Sequence, residues 1–246
     1  KFIQRVLSPL PLQTIALLFH SGWSIERIFR LCFQRMNHLK NAPGASGPTP
    51  SLAPQFLEFV SAVKYLRALQ VQDAINLSYF EAEGVPQLIL HINEEDKNRE
   101  EAKQFALAVN VEPGKTRYVL TFAPTFNRTD QIRIVTRSLL GTMFYLSQAV
   151  EVSTQDTLRG KVTKTKTSAG DVFDWKKVTG DLLRIRSLPE KPEENAMIIF
   201  YRGTWFYIDD SDLSSKSTFS LLAQIFSLQA GKIKDNAPLL TLPIGQ

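Results

Sequence analysis

Asn195-Ala196-Met197-Ile198-Ile199-Phe200-Tyr201-Arg202-Gly203-Thr204-Trp205-Phe206-Tyr207-Ile208-Asp209-Asp210-Ser211-Asp212, running on through a helical pattern to Gly231, decides the fold class. Residues 197–202 and 205–208 are short β-favouring runs that meet at Gly203. They lie too close together for anything but an antiparallel hairpin. The aspartates then supply N-cap chemistry for a helix whose Phe219, Leu222, Ile225 and Phe226 share one face, and Gly231 closes it. On an extended strand Trp205 and Tyr207 share one face, Phe206 and Ile208 the other.

Working outward, the period-two pattern recurs at Ile75, Leu77 and Tyr79, turns at Glu83-Gly84 and returns through residues 88–92 as a second hairpin. Residues 117–122 read as a strand, residues 182–188 as another, and residues 239–244, beside Pro243, as an edge strand. Residues 94–109 read as a short exposed helix and residues 130–150 as a long one. The first third is helical. Residues 12–19 are apolar, Gly22-Trp23 breaks the chain, Ser24 caps a helix over 25–38, and Phe56, Phe59, Val60, Val63, Leu66 and Leu69 mark the buried stripe of a further helix that starts near Pro54. Residues 41–50 hold too much proline and glycine for regular structure. The expectation is one α+β domain over residues 1–246. It has a largely antiparallel sheet built from hairpins, packed helices, and a helical N-terminal third that can form a subdomain over 1–71.

Composition narrows the class. The chain has 246 residues, 43% hydrophobic and 22% charged, the balance of a globular protein with a sizeable core. Its apolar runs fall short of the roughly 20 residues needed to span a bilayer. The single cysteine, Cys32, rules out an internal disulfide and a multi-cysteine zinc site. The formal net charge is +5. Most of the excess sits between Arg159 and Lys177, in a segment rich in Thr, Ser and Gly that reads as an exposed, flexible basic loop over about residues 153–171. Residues 93–101 are the acidic counterpart.

Motifs for catalysis are missing. His20, His38 and His91 fall on different elements without metal-ligand spacing. Gly114-Lys115-Thr116 resembles the end of a phosphate loop, but Val109 stands where its first glycine belongs. No cofactor or metal is therefore expected, and the reading leans away from an enzyme. Asp209 and Asp210, with Asp212, could serve acid/base chemistry or a hard cation, or simply cap a helix. Tyr201, Arg202, Trp205 and Tyr207 could form a binding face. Lys161, Lys164 and Lys166 could contact a phosphate polymer, although the lack of interleaved aromatics argues against nucleic acid. Asn76-Leu77-Ser78 and Asn127-Arg128-Thr129 match the glycosylation pattern, a match that arises easily by chance.

Gly22-Trp23-Ser24-Ile25-Glu26-Arg27, Ser46-Gly47-Pro48-Thr49-Pro50, Arg137-Ser138-Leu139-Leu140-Gly141-Thr142-Met143-Phe144-Tyr145-Leu146-Ser147-Gln148 and Tyr201-Arg202-Gly203-Thr204-Trp205-Phe206-Tyr207-Ile208 together resemble a family of uncharacterised Gram-negative bacterial lipoproteins. That family has no established activity, so no residue role follows from it. The resemblance implies a periplasm-facing place in the cell envelope, with membrane association only through a lipidated cysteine upstream of Lys1 and a protein partner in the envelope. The first residue, Lys1, is not a methionine, which agrees with removal of a leading segment. Three functions stay open: an envelope assembly or protein-binding subunit, a small-ligand or cation-dependent enzyme at the aspartates, and a phosphate-polymer binder at the basic loop.

Overall fold

The computed structural model describes residues 2–125, 128–193 and 195–230. Asn127 of the second glycosylation pattern, Gly231 and the strand expected at 239–244 lie outside them. Among the described residues the chain is α+β with two sheets. The larger is built from β1 (Phe33–Met36), β2 (Leu39–Lys40), β3 (Ile75–Ala82), β4 (Val85–Ile92), β5 (Arg117–Thr121) and β6 (Gln131–Thr136), in the order β2-β1-β6-β5-β4-β3. Every pairing is antiparallel except β5 with β6. The smaller sheet has the order β7-β9-β8, from β7 (Arg186–Leu188), β8 (Asn195–Tyr201) and β9 (Thr204–Asp209).

The larger sheet buries one face. Leu77, Leu88, Leu90, Tyr118, Leu120, Ile132, Ile134 and Met36 join the core, and the pairings Leu77 with Leu90, Leu88 with Leu120, Leu120 with Ile132 and Ile134 with Met36 carry that stripe across five strands. Helices α2 (Leu12–His20), α3 (Ile25–Cys32), α4 (Leu57–Val71), α5 (Glu100–Ala108) and α6 (Leu139–Ser147) contribute to the same core. Both long hairpins turn through two residues with positive φ, Glu83-Gly84 at +51° and +76° and Arg202-Gly203 at +52° and +81°. This backbone twists with the strands it joins and favours glycine at the second position. The helix α9 (Leu213–Ala230) follows the second hairpin and packs against α1 (Phe2–Leu7) and α6.

Several sequence expectations are corrected. The helix expected over 25–38 ends at Cys32, and Phe33 turns into β1. The long helix expected over 130–150 is strand β6 followed by α6, which starts after Ser138 caps it by accepting from the Gly141 N–H. Pro54 precedes its helix, which begins at Leu57, and the helix expected from 94 begins at Glu100 and buries Ala102, Phe105 and Ala106. Residues 1–71 contribute β1 and β2 to the larger sheet as well as four α-helices.

Two arginines organise the interior. Arg137, fully buried, donates from Nη1 to the carbonyls of Arg30 (2.9 Å) and Phe33 (2.6 Å), from Nη2 to that of Asn41, and from Nε to Ser46 Oγ (3.0 Å). Its guanidinium also lies 4.1 Å from the centre of the Tyr145 ring. It thus caps the carbonyl end of α3 from a site more than a hundred residues away. Arg30, 2% exposed, reaches both carboxylate oxygens of Asp181 at 2.6 and 2.7 Å and the Val178 carbonyl at 2.9 Å. Cys32 is buried beside them, and desolvation pushes its thiol up to about 12, which keeps it protonated and unreactive at neutral pH.

Candidate functional site

The small sheet stands apart from the main core: of its residues with described side chains, Ile208 alone belongs to it. β8 is one edge of this sheet, and the shorter β7 is the other. Ile198 is 40%, Ile199 63%, Phe200 56% and Tyr201 60% exposed, four consecutive large apolar or aromatic side chains on one strand. Because two residues close the hairpin, the flanking pair Tyr201 with Thr204 is hydrogen-bonded and the pairs then alternate. Phe200 with Trp205 and Ile198 with Tyr207 are therefore non-hydrogen-bonded pairs. The N–H and C=O of Ile198 and Phe200 point away from β9, toward an edge where no other described strand pairs with them.

The sequence places Trp205 and Tyr207 on one face, and the register adds Ile198, Phe200, Arg186 and Leu188 to it. Phe200 and Trp205 rings lie 4.7 Å apart at 43°, and Lys191 Nζ lies 5.8 Å from the Trp205 ring. Tyr201 falls on the opposite face, with the Arg202 guanidinium 5.9 Å from its ring. Sequence reading named Tyr201, Trp205 and Tyr207 but passed over Ile198, Ile199 and Phe200, because a run of five apolar residues reads as a buried strand.

The aspartates are occupied by their own turn. Asp209 accepts from the Ser211 N–H (3.0 Å) and hydroxyl (2.6 Å), which hold its carboxyl below the ordinary range, and it lies 3.4 Å from Arg186. Asp212 caps α9 by accepting from the Ser215 N–H (3.0 Å) and hydroxyl (2.7 Å). Asp210 pairs with Lys216 at 2.6 Å. Among the described residues no group of three or more His, Cys, Asp or Glu side chains could hold a metal ion. The sequence does contain one Ser-x-x-Lys spacing, Ser61 and Lys64 on α4, and both side chains are exposed on that helix.

The basic segment does not stand free as a loop. Thr165 is buried and donates to the Pro50 carbonyl (2.7 Å), the Lys166 N–H donates to the Ser51 carbonyl (2.8 Å), and Trp175 Nε1 donates to Thr165 Oγ1 (3.0 Å). The proline-rich and basic segments are thus stitched together, with α7 (Thr154–Leu158) and α8 (Lys176–Thr179) beside them. The stitching separates the three lysines. Lys161 follows α7, Lys166 is exposed at the bridge, and Lys164 lines a cleft of about 490 Å³. Val150, Phe173 and Trp175 give that cleft apolar walls, and Glu151 lies 3.5 Å from Lys176 and 3.9 Å from Arg184 at its rim. Sequence reasoning missed Glu151 and Arg184 because neither belongs to a charge run.

Comparison with protein-family models, with characterised proteins and with solved structures returns no match.

Proposed function

We propose that this chain is a non-enzymatic, protein-binding subunit of a bacterial envelope assembly, docking through its small sheet. The observation that carries the reading is the open edge of β8, where Ile199 and Phe200 are each more than half exposed. Folded chains rarely leave a flat apolar edge strand bare, because its unpaired N–H and C=O groups and its side chains together form a template for another strand. Adding a strand there would satisfy the outward groups of Ile198 and Phe200 and bury side chains on both faces. The resemblance to envelope lipoproteins supports the setting. Among the described residues no helix is long and apolar enough to cross a membrane, so the reading places attachment in a lipid anchor.

The test is recovery of tagged full-length protein from its native membranes, beside a Phe200→Lys variant, with quantitative mass spectrometry of what accompanies each. A stoichiometric companion present with the wild type and depleted with Phe200→Lys is the expected result. Companions unchanged by the substitution, or recovery of neither another protein nor an untagged copy of this chain, would remove the small sheet as the docking element.

The cleft supports a second reading, binding of an organic anion with an apolar body. Its volume falls in the range of small-molecule sites, and Lys164 is paired with no carboxylate among the described residues. The probe is 8-anilinonaphthalene-1-sulfonate, which has both an apolar and an anionic part. Saturable fluorescence that weakens about tenfold, or roughly 1.4 kcal/mol, in Lys164→Glu is expected on this reading. Fluorescence that does not saturate, or that ignores the substitution, removes it.

A further inference from the structure

We propose that the open edge of β8 is covered by the same edge of a second copy of this chain, the two strands running antiparallel about a two-fold axis at Ile199. This rests on the small sheet being a docking element and names its occupant.

Exposed edge strands are usually guarded by a lysine, a proline or a bulge. Residues 197–201 contain no charge and no proline, and the one irregularity of β8 lies before Met197. The stretch is also complementary to itself. An axis at Ile199 sets Ile198 opposite Phe200 of the second copy and Met197 opposite its Tyr201, so each exposed apolar side chain meets another. Aromatic and β-branched residues are a favourable cross-strand combination.

The backbone obeys the same symmetry. Ile198 and Phe200 already point their N–H and C=O groups outward, so pairing Ile198 of one copy with Phe200 of the other makes a hydrogen-bonded pair on each side of the axis. Ile199 then meets its counterpart in the closely spaced, non-hydrogen-bonded pair at the centre.

Charge selects the direction. Glu193 precedes the strand and Arg202 follows it. Antiparallel pairing brings the acidic approach of one copy to the Arg202 turn of the other, whereas parallel pairing would align like charges. The product is one continuous sheet, β7-β9-β8 joined to β8-β9-β7, in which neither β8 remains an edge. Two-fold pairing of this kind closes on itself at a dimer, because both copies contribute the same edge and neither β8 is left to pair again.

The experiment is sedimentation velocity of the wild-type chain across micromolar concentrations, together with oxidative cross-linking of Ile199→Cys. The two introduced thiols would face each other across the axis at a separation suited to a disulfide, and buried Cys32 does not compete. Expected are a concentration-dependent dimer, a covalent dimer from Ile199→Cys, little cross-linking from Ile198→Cys because Phe200 faces that position, and dimerisation weakened at least about tenfold in Phe200→Lys. Phe200 is mostly solvent-facing, and an unchanged circular dichroism spectrum checks that the variant folds. A wild type that stays monomeric overturns the proposal, as does a dimer that Phe200→Lys leaves intact. A monomer whose companion, a different protein, is lost in Phe200→Lys overturns self-pairing while the docking role stands. A monomer with no such companion ends both.

Discussion

Replacing Arg137 by methionine is expected to destabilise the fold by about 4 kcal/mol, because the substitution strands several buried carbonyls at once. The side chain is fully buried, and no carboxylate among the described residues faces it. Its charge is held by dipoles, the carbonyls of Arg30, Leu31 and Phe33 at the end of α3 and that of Asn41. Desolvation pushes the guanidinium down to about 10, which still leaves it protonated at neutral pH. Methionine matches much of the length but returns none of the donors. Arg137→Lys should fall near Arg137→Met, because a lysine ammonium cannot reproduce the planar fork that serves Nε, Nη1 and Nη2 contacts together. Urea unfolding of both variants is the measurement, and a loss below about 1 kcal/mol in Arg137→Met would show that the carbonyls find other partners.

This residue also explains where the sequence was hard to read. Residues 25–38 carry a continuous helical pattern, yet the helix stops at Cys32 because the chain must pair as β1 with β6 and because Arg137 takes the carbonyls that a further turn would have used. That cap is remote in sequence, so no local signal announces it. Residues 131–136 alternate between buried and exposed, a strand signature, but only six residues carry it before an apolar helix begins. The longer 3.6-residue pattern overwhelmed the shorter one. The hairpins were legible because each is closed locally, at Glu83-Gly84 and at Arg202-Gly203. Strand order and the parallel pairing of β5 with β6 were not, since they depend on contacts between distant segments.

The candidate site divides the same way. The faces of β9 and the cap at Asp212 follow from residue type and spacing, and both appear where spacing puts them. The exposure of β8 and the cleft at Lys164 are tertiary facts. Apolar residues in a run signal burial on average, and only the position of β8 at the edge of a sheet reverses that inference here. The basic run resembles a solvated loop until Thr165 and Lys166 are seen bonded to residues 50 and 51.

Asp181→Asn is expected to cost about 3 kcal/mol at neutral pH, since it leaves the Arg30 guanidinium buried without its bidentate partner. The figure is kept at the lower end of the range because Asp181 is itself 57% exposed and Glu26 still lies 3.3 Å from Arg30. Partial burial by itself would raise the Asp181 carboxyl, but the hydrogen bonds and charge of Arg30 outweigh it and hold the group below the ordinary carboxylate range. A depressed folded-state value means that the stabilisation is fully present above the unfolded value of about 4 and is lost as pH falls through the folded one. The gap between wild type and Asp181→Asn in urea unfolding should accordingly be constant from neutral pH to about pH 5 and close below about pH 4. A gap that persists unchanged in acid would mean that the carboxylate charge is not what holds Arg30. The contact also fastens two layers. The Asp181 carbonyl accepts from the Ser214 hydroxyl of α9, and Arg27 of α3 donates to the Ser214 carbonyl and to the Thr218 hydroxyl. Loosening Asp181 therefore frees α9 and the 159–185 segment together, and limited proteolysis of Asp181→Asn should cut between Arg159 and Lys177 sooner than in the wild type.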